Sequence, residues 1–295
     1  MAHHPPLAGL PEQLALRPGV TVARHDDHCL QVGIDPPQRV VVPDVPAVRR
    51  LLDALIGSNA PPAPDEQTWP VLRRLWEAGL LVDSRAVAAS AAHGPAAAVR
   101  AAWAQVGPEA GERLTARAAA RVRVVAEDEA RADMARLLRA SGVQVVEDGA
   151  ADVWLVAHDG ELPRARVDDL VREGVAHLLV SGALGSAVVG PFVLPGVTAC
   201  LRCLDAHRAE VDPRRALVIE QVVARPPAVV RDPTLHAMAL AWATRDVVRF
   251  VEGAQPSTWS TSFELGPLSA PVGRTWTRHP HCGCAWDEGL LGRVG

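Results

Sequence analysis

The chain has 295 residues, 48% of them hydrophobic and 22% charged, with a formal net charge of −4. That length allows about two domains, the apolar content excludes wholesale disorder, and the acidic balance argues against nucleic-acid binding as the main function. All 30 basic residues are Arg, so a lysine Schiff base, a P-loop lysine and a lysine clamp on a triphosphate are excluded. No window approaches the ~18 uninterrupted apolar residues of a membrane span. The opening MAHHPPLAGLPEQ has no basic segment followed by an apolar run, so we expect no secretory signal and a cytoplasmic protein.

In chain order, residues 20–24 and 30–33 read as strands around a polar turn of His25, Asp26, Asp27 and His28. Cys29, alone in this alternating stretch, reads as a small core residue, and the turn as a hairpin rather than a metal site. Arg39, Val40, Val41 and Val42 form a third strand-like run. A helix is predicted over 45–56, with Leu51, Leu52 and Leu55 on one face and Gly57 as its stop. After the loop NAPPAPDEQ, a second amphipathic helix is predicted over 69–81, carrying Leu72, Leu75, Trp76 and Leu80. Residues 1–84 therefore read as a small winged-helix-like module, which at that size is marginal alone. Residues 85–120 are Ala-rich, broken by Gly94-Pro95 and Gly107-Pro108, and read as a helical connector.

From residue 121 the pattern alternates. Strands are expected at 122–125, 143–146, 153–156 and 177–180, with helices around Met134 and Leu138 and over 167–171. Apolar strands separated by helices predict an α/β fold with a doubly wound, mostly parallel sheet over 121–295. Ligands of such a sheet bind at the carboxyl ends of its strands. There the first strand runs into Ala126-Glu127-Asp128-Glu129-Ala130. A dinucleotide fold has glycines at this turn, so that backbone can approach a phosphate. Three carboxylates and no Gly predict that a nucleotide site is lost, and no catalytic or cofactor-binding residue is assigned. Gly182, Gly185 and Gly190 read as turns. A helix is expected to start near Leu201, a long one over 234–252 capped by Asp232 or Thr234, and strands at 259–265 and 274–277.

Four of the five Cys form two tight pairs, Cys200-Leu-Arg-Cys203 and Cys282-Gly-Cys284. Two such loops each offering two sulfurs match a tetrahedral four-thiolate zinc site with no open position, hence structural rather than catalytic. A redox dithiol, or two buried thiols plus a loose pair, are the alternatives. His279 and His281 flank the second pair and read as bystanders.

The run GPFVLPGVTACLRCLDAHRAEVDP, followed downstream by RTWTRHPHCGCAW, resembles the ocin-ThiF-like proteins of thiazole/oxazole-modified microcin (bacteriocin) biosynthesis, relatives of the ThiF and ubiquitin-activating enzyme superfamily often labelled cyclodehydratases. The resemblance extends over most of the chain. It implies a PqqD-like winged helix over 1–84 that binds the leader of a ribosomally made precursor peptide, a ThiF-like domain over 121–295, and structural zinc on Cys200, Cys203, Cys282 and Cys284. The leader would add as a strand beside Arg39, Val40, Val41 and Val42 and pack on the helix over 69–80. Arg73 and Arg74 could meet acidic leader residues there, or could simply be solvated. A YcaO-type cyclodehydratase partner would activate backbone amides with ATP. The chain departs from ATP-using relatives in its missing Gly-rich turn and its lack of Lys; Asp159 could stand where they keep an acidic metal ligand, or in an ordinary turn. The resemblance thus implies a stand-alone partner, possible as a homodimer. Competing readings are an adenylyltransferase that uses Arg for its phosphate contacts, and a winged-helix DNA-binding regulator.

Overall fold

The computed structural model describes residues 10–57, 63–182, 185–267 and 270–284. The chain divides into two compact units with the boundary between Thr115 and Ala116.

The first unit holds strands β1 (Leu14–Leu16), β2 (Val22–Arg24), β3 (Cys29–Val32) and β4 (Val40–Pro43), helices α1 (Pro46–Ile56) and α2 (Trp69–Glu77), and then β5 (Leu81–Asp83). β2, β3 and β4 form an antiparallel sheet in that order, and β1 pairs with β5. Gly33, at φ 79°, closes the β3–β4 turn. A Cβ there would lie 1.9 Å from the Gln38 carbonyl oxygen, so only Gly fits. Along β4, Val40 and Val42 point into the core while Val41 takes the other face. α1 opens on Pro46, whose missing N–H costs nothing in the first turn. Val48, Leu51, Leu52 and Leu55 form its buried stripe, packed with Val71, Leu72 and Leu75 of α2. α2 stops earlier than its sequence pattern predicts. Gly79 turns left-handed at φ 66°, and the Leu80 N–H donates to the Leu75 carbonyl at 2.9 Å. Leu80 and Leu81 stay buried, but Leu81 starts β5.

The segment read as a connector carries helices α3 (Ser84–Ala89), α4 (Ala96–Val106) and α5 (Ala110–Ala119). Val99, Ala102, Trp103, Ala110 and Leu114 form a core of their own with Ala15 and Val82. The Trp103 indole N–H donates to Ser90 Oγ at 3.2 Å.

The second unit contains β6 (Arg121–Val125), α6 (Asp128–Ala140), β7 (Gln144–Val146), β8 (Val153–Ala157), α7 (Arg164–Arg172), β9 (His177–Ser181), β10 (Ala187–Val193), α8 (Leu201–Ala209), α9 (Arg215–Ala224), α10 (Pro233–Val251), β11 (Thr261–Leu265) and β12 (Val272–Thr275). The strands form one sheet, ordered β12-β11-β10-β9-β8-β6-β7. The run β7, β6, β8, β9 is parallel, and β10, β11 and β12 continue it antiparallel. Neighbouring side chains face opposite sides. Leu155, Leu178 and Val180 join α6 and α10 in the main core, whereas Val156 and Leu179 meet Val167 and Leu170 of α7. Helices on both faces are the doubly wound arrangement. Among the described residues no helix is long and apolar enough to cross a membrane.

Candidate functional site

Three places in the fold gather chemically capable groups. The first is the thiol cluster. Cys200 is the residue before α8, and Cys203 lies in that helix's first turn, its N–H donating to the Cys200 carbonyl at 3.0 Å. Cys282 and Cys284 sit on a turn that Gly283 makes at φ 73°, with the Cys282 N–H on the His279 carbonyl at 3.1 Å. The fold brings all four sulfurs within 4.8 Å of one another. Sγ separations are 3.4 Å for Cys200–Cys282, 3.2 Å for Cys203–Cys284 and 3.7 Å for Cys200–Cys203. A tetrahedral ion with metal–sulfur bonds of ~2.3 Å spaces its ligands ~3.8 Å apart, so the cradle is close to the right size. The distances are far from a disulfide bond of ~2.05 Å. Hydrogen bonds from Cys200 and Cys284 pull the Cys203 thiol down, while donation to Cys203 pushes Cys200 up. Burial pushes Cys282 up to about 12. Trp276, Val193 and Ala199 seal the inner side.

His279 and His207 form a second group with Glu210, also within 4.8 Å. Both nitrogens of His279 and Nε2 of His207 are already engaged. His279 Nδ1 accepts the His281 N–H at 3.2 Å, so Nε2 carries the proton it shares with Glu210 at 2.9 Å. His207 Nε2 lies 2.9 Å from the Thr277 carbonyl, and therefore donates. These bonds brace the second cysteine turn against α8.

The second place is the outer edge of β4. β3 is its one strand partner among the described residues, and α2 packs alongside. The Asp44 N–H donates to the His28 carbonyl at 2.8 Å, which by alternation makes Leu30/Val42 and Val32/Val40 the hydrogen-bonded pairs. Val41 falls between them, so its N–H and C=O point outward from the sheet. Arg39 donates to Gln31 Oε1 at 3.0 Å. Arg73 and Arg74 lie exposed on α2, and Arg73 Nε is 3.9 Å from Glu77 Oε1. In the β2–β3 turn, Asp26 accepts the His28 N–H at 2.8 Å, and that bond holds its carboxyl below the usual range. Cys29 is half-buried on β3.

The third place is a cavity of about 880 Å³ at the carboxyl ends of β6, β8 and β9. Glu127, Glu129, Asp159, Glu161 and Asp232 line it, and among the described residues Arg231 is its one lining arginine. Arg231 is already spoken for, with Nη1 3.1 Å from Asp159 and Nη2 3.8 Å from Glu129. His158 and His236 also line it, both with pKa values lowered chiefly by burial. The opposite wall is apolar, from Ile219, Val222, Val223, Val230 and Leu235. A triphosphate brought here would meet carboxylates at the start of α6 and a neutralised Arg. Sequence reasoning found Asp159 and the acidic turn but missed Arg231, His236 and the wall. Arg231 and Val230 precede α10, His236 and Leu235 sit in the first turns of that predicted helix, and the rest of the wall is on α9, so no local signal marked them as lining one cavity.

No family model matches the chain, and no curated protein does. Solved structures do. The heterocyclase TruD is similar at a TM-score of 0.69 and 21% identity, over 97% of this chain and 44% of TruD. A heterocyclase in complex with substrate and cofactor is similar at 0.67 and 17%, over 95% of this chain and 40% of that one. E. coli MccB with ATP is similar at 0.60 and 14%, over 93% and 100%. The chain thus spans less than half the length of the two heterocyclases, and shares the fold of all three.

Proposed function

We propose that this chain is a precursor-peptide-binding partner of a YcaO-type cyclodehydratase, in the making of azoline-bearing, bacteriocin-type peptides. The observation that carries this reading is the outward edge of β4 beside α2. An extended peptide would gain main-chain hydrogen bonds at Val41 and side-chain contacts with α2, the mode of β-augmentation. Its leader would lie along Arg39, Val40, Val41 and Val42 within a PqqD-like module, with Arg73 and Arg74 able to meet acidic side chains. The fold shared with TruD, a heterocyclase, supports the same assignment, and the ThiF-like second unit serves as a scaffold.

The four cysteines hold a structural zinc ion in this reading. Their spacing and closed, sealed cradle favour a tetrahedral ion without an open position. Zinc supplies folding free energy by joining the two knuckles. The strand-end cavity supports a role without ATP, because its cation is paired and its carboxylates oppose phosphate; ATP–pyrophosphate exchange should be blank.

Val41→Pro tests the proposal. It removes an N–H that serves no bond within the sheet, and Pro is tolerated on an edge strand. A fluorescent synthetic leader of the neighbouring precursor peptide should bind the native chain, and bind Val41→Pro at least about tenfold more weakly, while Val41→Thr binds as the native chain does. Equal binding by Val41→Pro, with unchanged circular dichroism, would place the peptide elsewhere. No binding of leader or of the cyclodehydratase by the native chain would remove the scaffold role.

A further inference from the structure

We propose that Arg208, Arg215 and Arg274 form a binding site for a small phosphate-type oxyanion, separate from both the peptide edge and the strand-end cavity. The three come from the end of α8, the start of α9 and β12, and are brought together only by the fold. They line a cavity of about 550 Å³ floored by Trp276.

Three observations carry the inference. The first is the missing counter-charge. Among the described residues none of these arginines makes a salt bridge or hydrogen bond to a carboxylate, whereas the buried Arg117 and Arg164 pair with Glu252 and Asp205. The lining acid, Asp212, spends an oxygen on the Arg214 N–H at 3.1 Å. The second is an orphaned donor. Arg215 Nε is buried and has no hydrogen-bond partner. No protein acceptor therefore holds this guanidinium at Nε, and its charge is left for a ligand in the cavity the side chain lines. The third is preorganisation. Arg208 and Arg274 place their guanidinium carbons 5.2 and 4.8 Å from the centre of the Trp276 ring. That ring is pinned by its N–H on Ser262 Oγ at 2.9 Å. Cation–π contact holds both forks in place without neutralising them.

Crowding three cations is costly, and Arg208 registers the cost. Burial, and then the charge of Arg215, lower its pKa from the ordinary arginine value. An anion would offset the repulsion from Arg215, as the nearby Asp205 and Glu161 do in part. Planar guanidinium forks suit tetrahedral oxyanions, which accept two bonds from each. The cavity has room for more than one phosphate, so the class is phosphate, pyrophosphate or a small molecule that carries them.

Calorimetric titration of the full chain with sodium pyrophosphate at low salt tests this. Binding should be measurable and should weaken at least tenfold in both Arg215→Gln and Arg274→Gln, but not in Arg136→Gln, a surface change on α6. Arg274 is exposed, so its variant keeps the test valid if Arg215→Gln fails to fold. Inorganic phosphate and ATP, run in parallel, separate the sources. ATP that binds no tighter than pyrophosphate assigns the site to the phosphate group alone, and tighter binding that still depends on Arg274 assigns it to a nucleotide's phosphates. No pyrophosphate binding up to about 10 mM, or the same affinity in Arg274→Gln, would overturn the proposal.

Discussion

Acidification should destabilise the second unit through one buried histidine. His177 opens β9 and is fully buried. Its Nδ1 bonds the Val175 carbonyl at 2.8 Å, which fixes the proton on that nitrogen, and Nε2 is buried with no partner. A proton added at Nε2 would put a charge in the core with nothing to receive it. Burial accordingly drives the pKa down to about 4, against ~6.5 in an unfolded chain. Between those values the unfolded chain binds more protons than the folded one, so stability rises with pH there. It is full above ~6.5 and drains as pH falls toward 4. At pH 5 the linkage amounts to about 2 kcal/mol, approaching about 3 kcal/mol below pH 4. His177→Asn keeps a donor for Val175 and removes the titration. Urea unfolding of both proteins at pH 7.5 and 5 gives the comparison. The native chain should lose about 2 kcal/mol more than the variant over that interval. Any constant cost of the substitution, and any acid effect on the thiols, cancels in the difference. Equal losses in the two proteins would mean that His177 does not govern acid stability.

Two further predictions concern the same unit. Cys200→Ser or Cys282→Ser should take bound zinc from about one ion per chain to about none, with a lowered melting temperature; metal analysis and calorimetry check it, and full zinc with native melting would refute the ligand set. Asp246 is 2% exposed and accepts from Ser257 Oγ, Thr258 N and Thr258 Oγ1 at 2.7–2.8 Å. Asp246→Ala should cost about 3 kcal/mol, because it orphans a buried backbone N–H, and Asp246→Asn should cost less; urea unfolding measures both.

The cysteine clustering was legible because each pair sits in a short loop whose spacing survives in sequence. The parallel strands were legible for the same local reason, as apolar runs between helices. β10 was not. Gly190-Pro191 inside it reads as a turn, yet it sits at a shift of register between Val189 and Phe192, where a Cβ on Gly190 would lie 2.2 Å from the Thr261 carbonyl oxygen. α9 was missed because it has no buried stripe; Leu217 and Val218 are both exposed. α4 and α5 look like a connector because an Ala-rich face needs only one large residue, Trp103, to build a core. The arginine cluster could not be read at all, and of the strand-end cavity only the acidic turn and Asp159 could. Their members are far apart in the chain, and only topology unites them.

The outer edge of β4 ends on Pro43, and this sets a limit on whatever pairs there. Val41 offers a donor and an acceptor, but two residues on, Pro43 offers a carbonyl and no N–H. A ladder on this edge therefore has no complete exchange beyond Val41 on the Pro43 side, like a zip with a stop. A visiting strand that slid by one residue would turn its other face toward α2 and lose that exchange. The same stop denies an endless stack of strands a continuous template, so the edge can stay open to a guest without inviting fibrils.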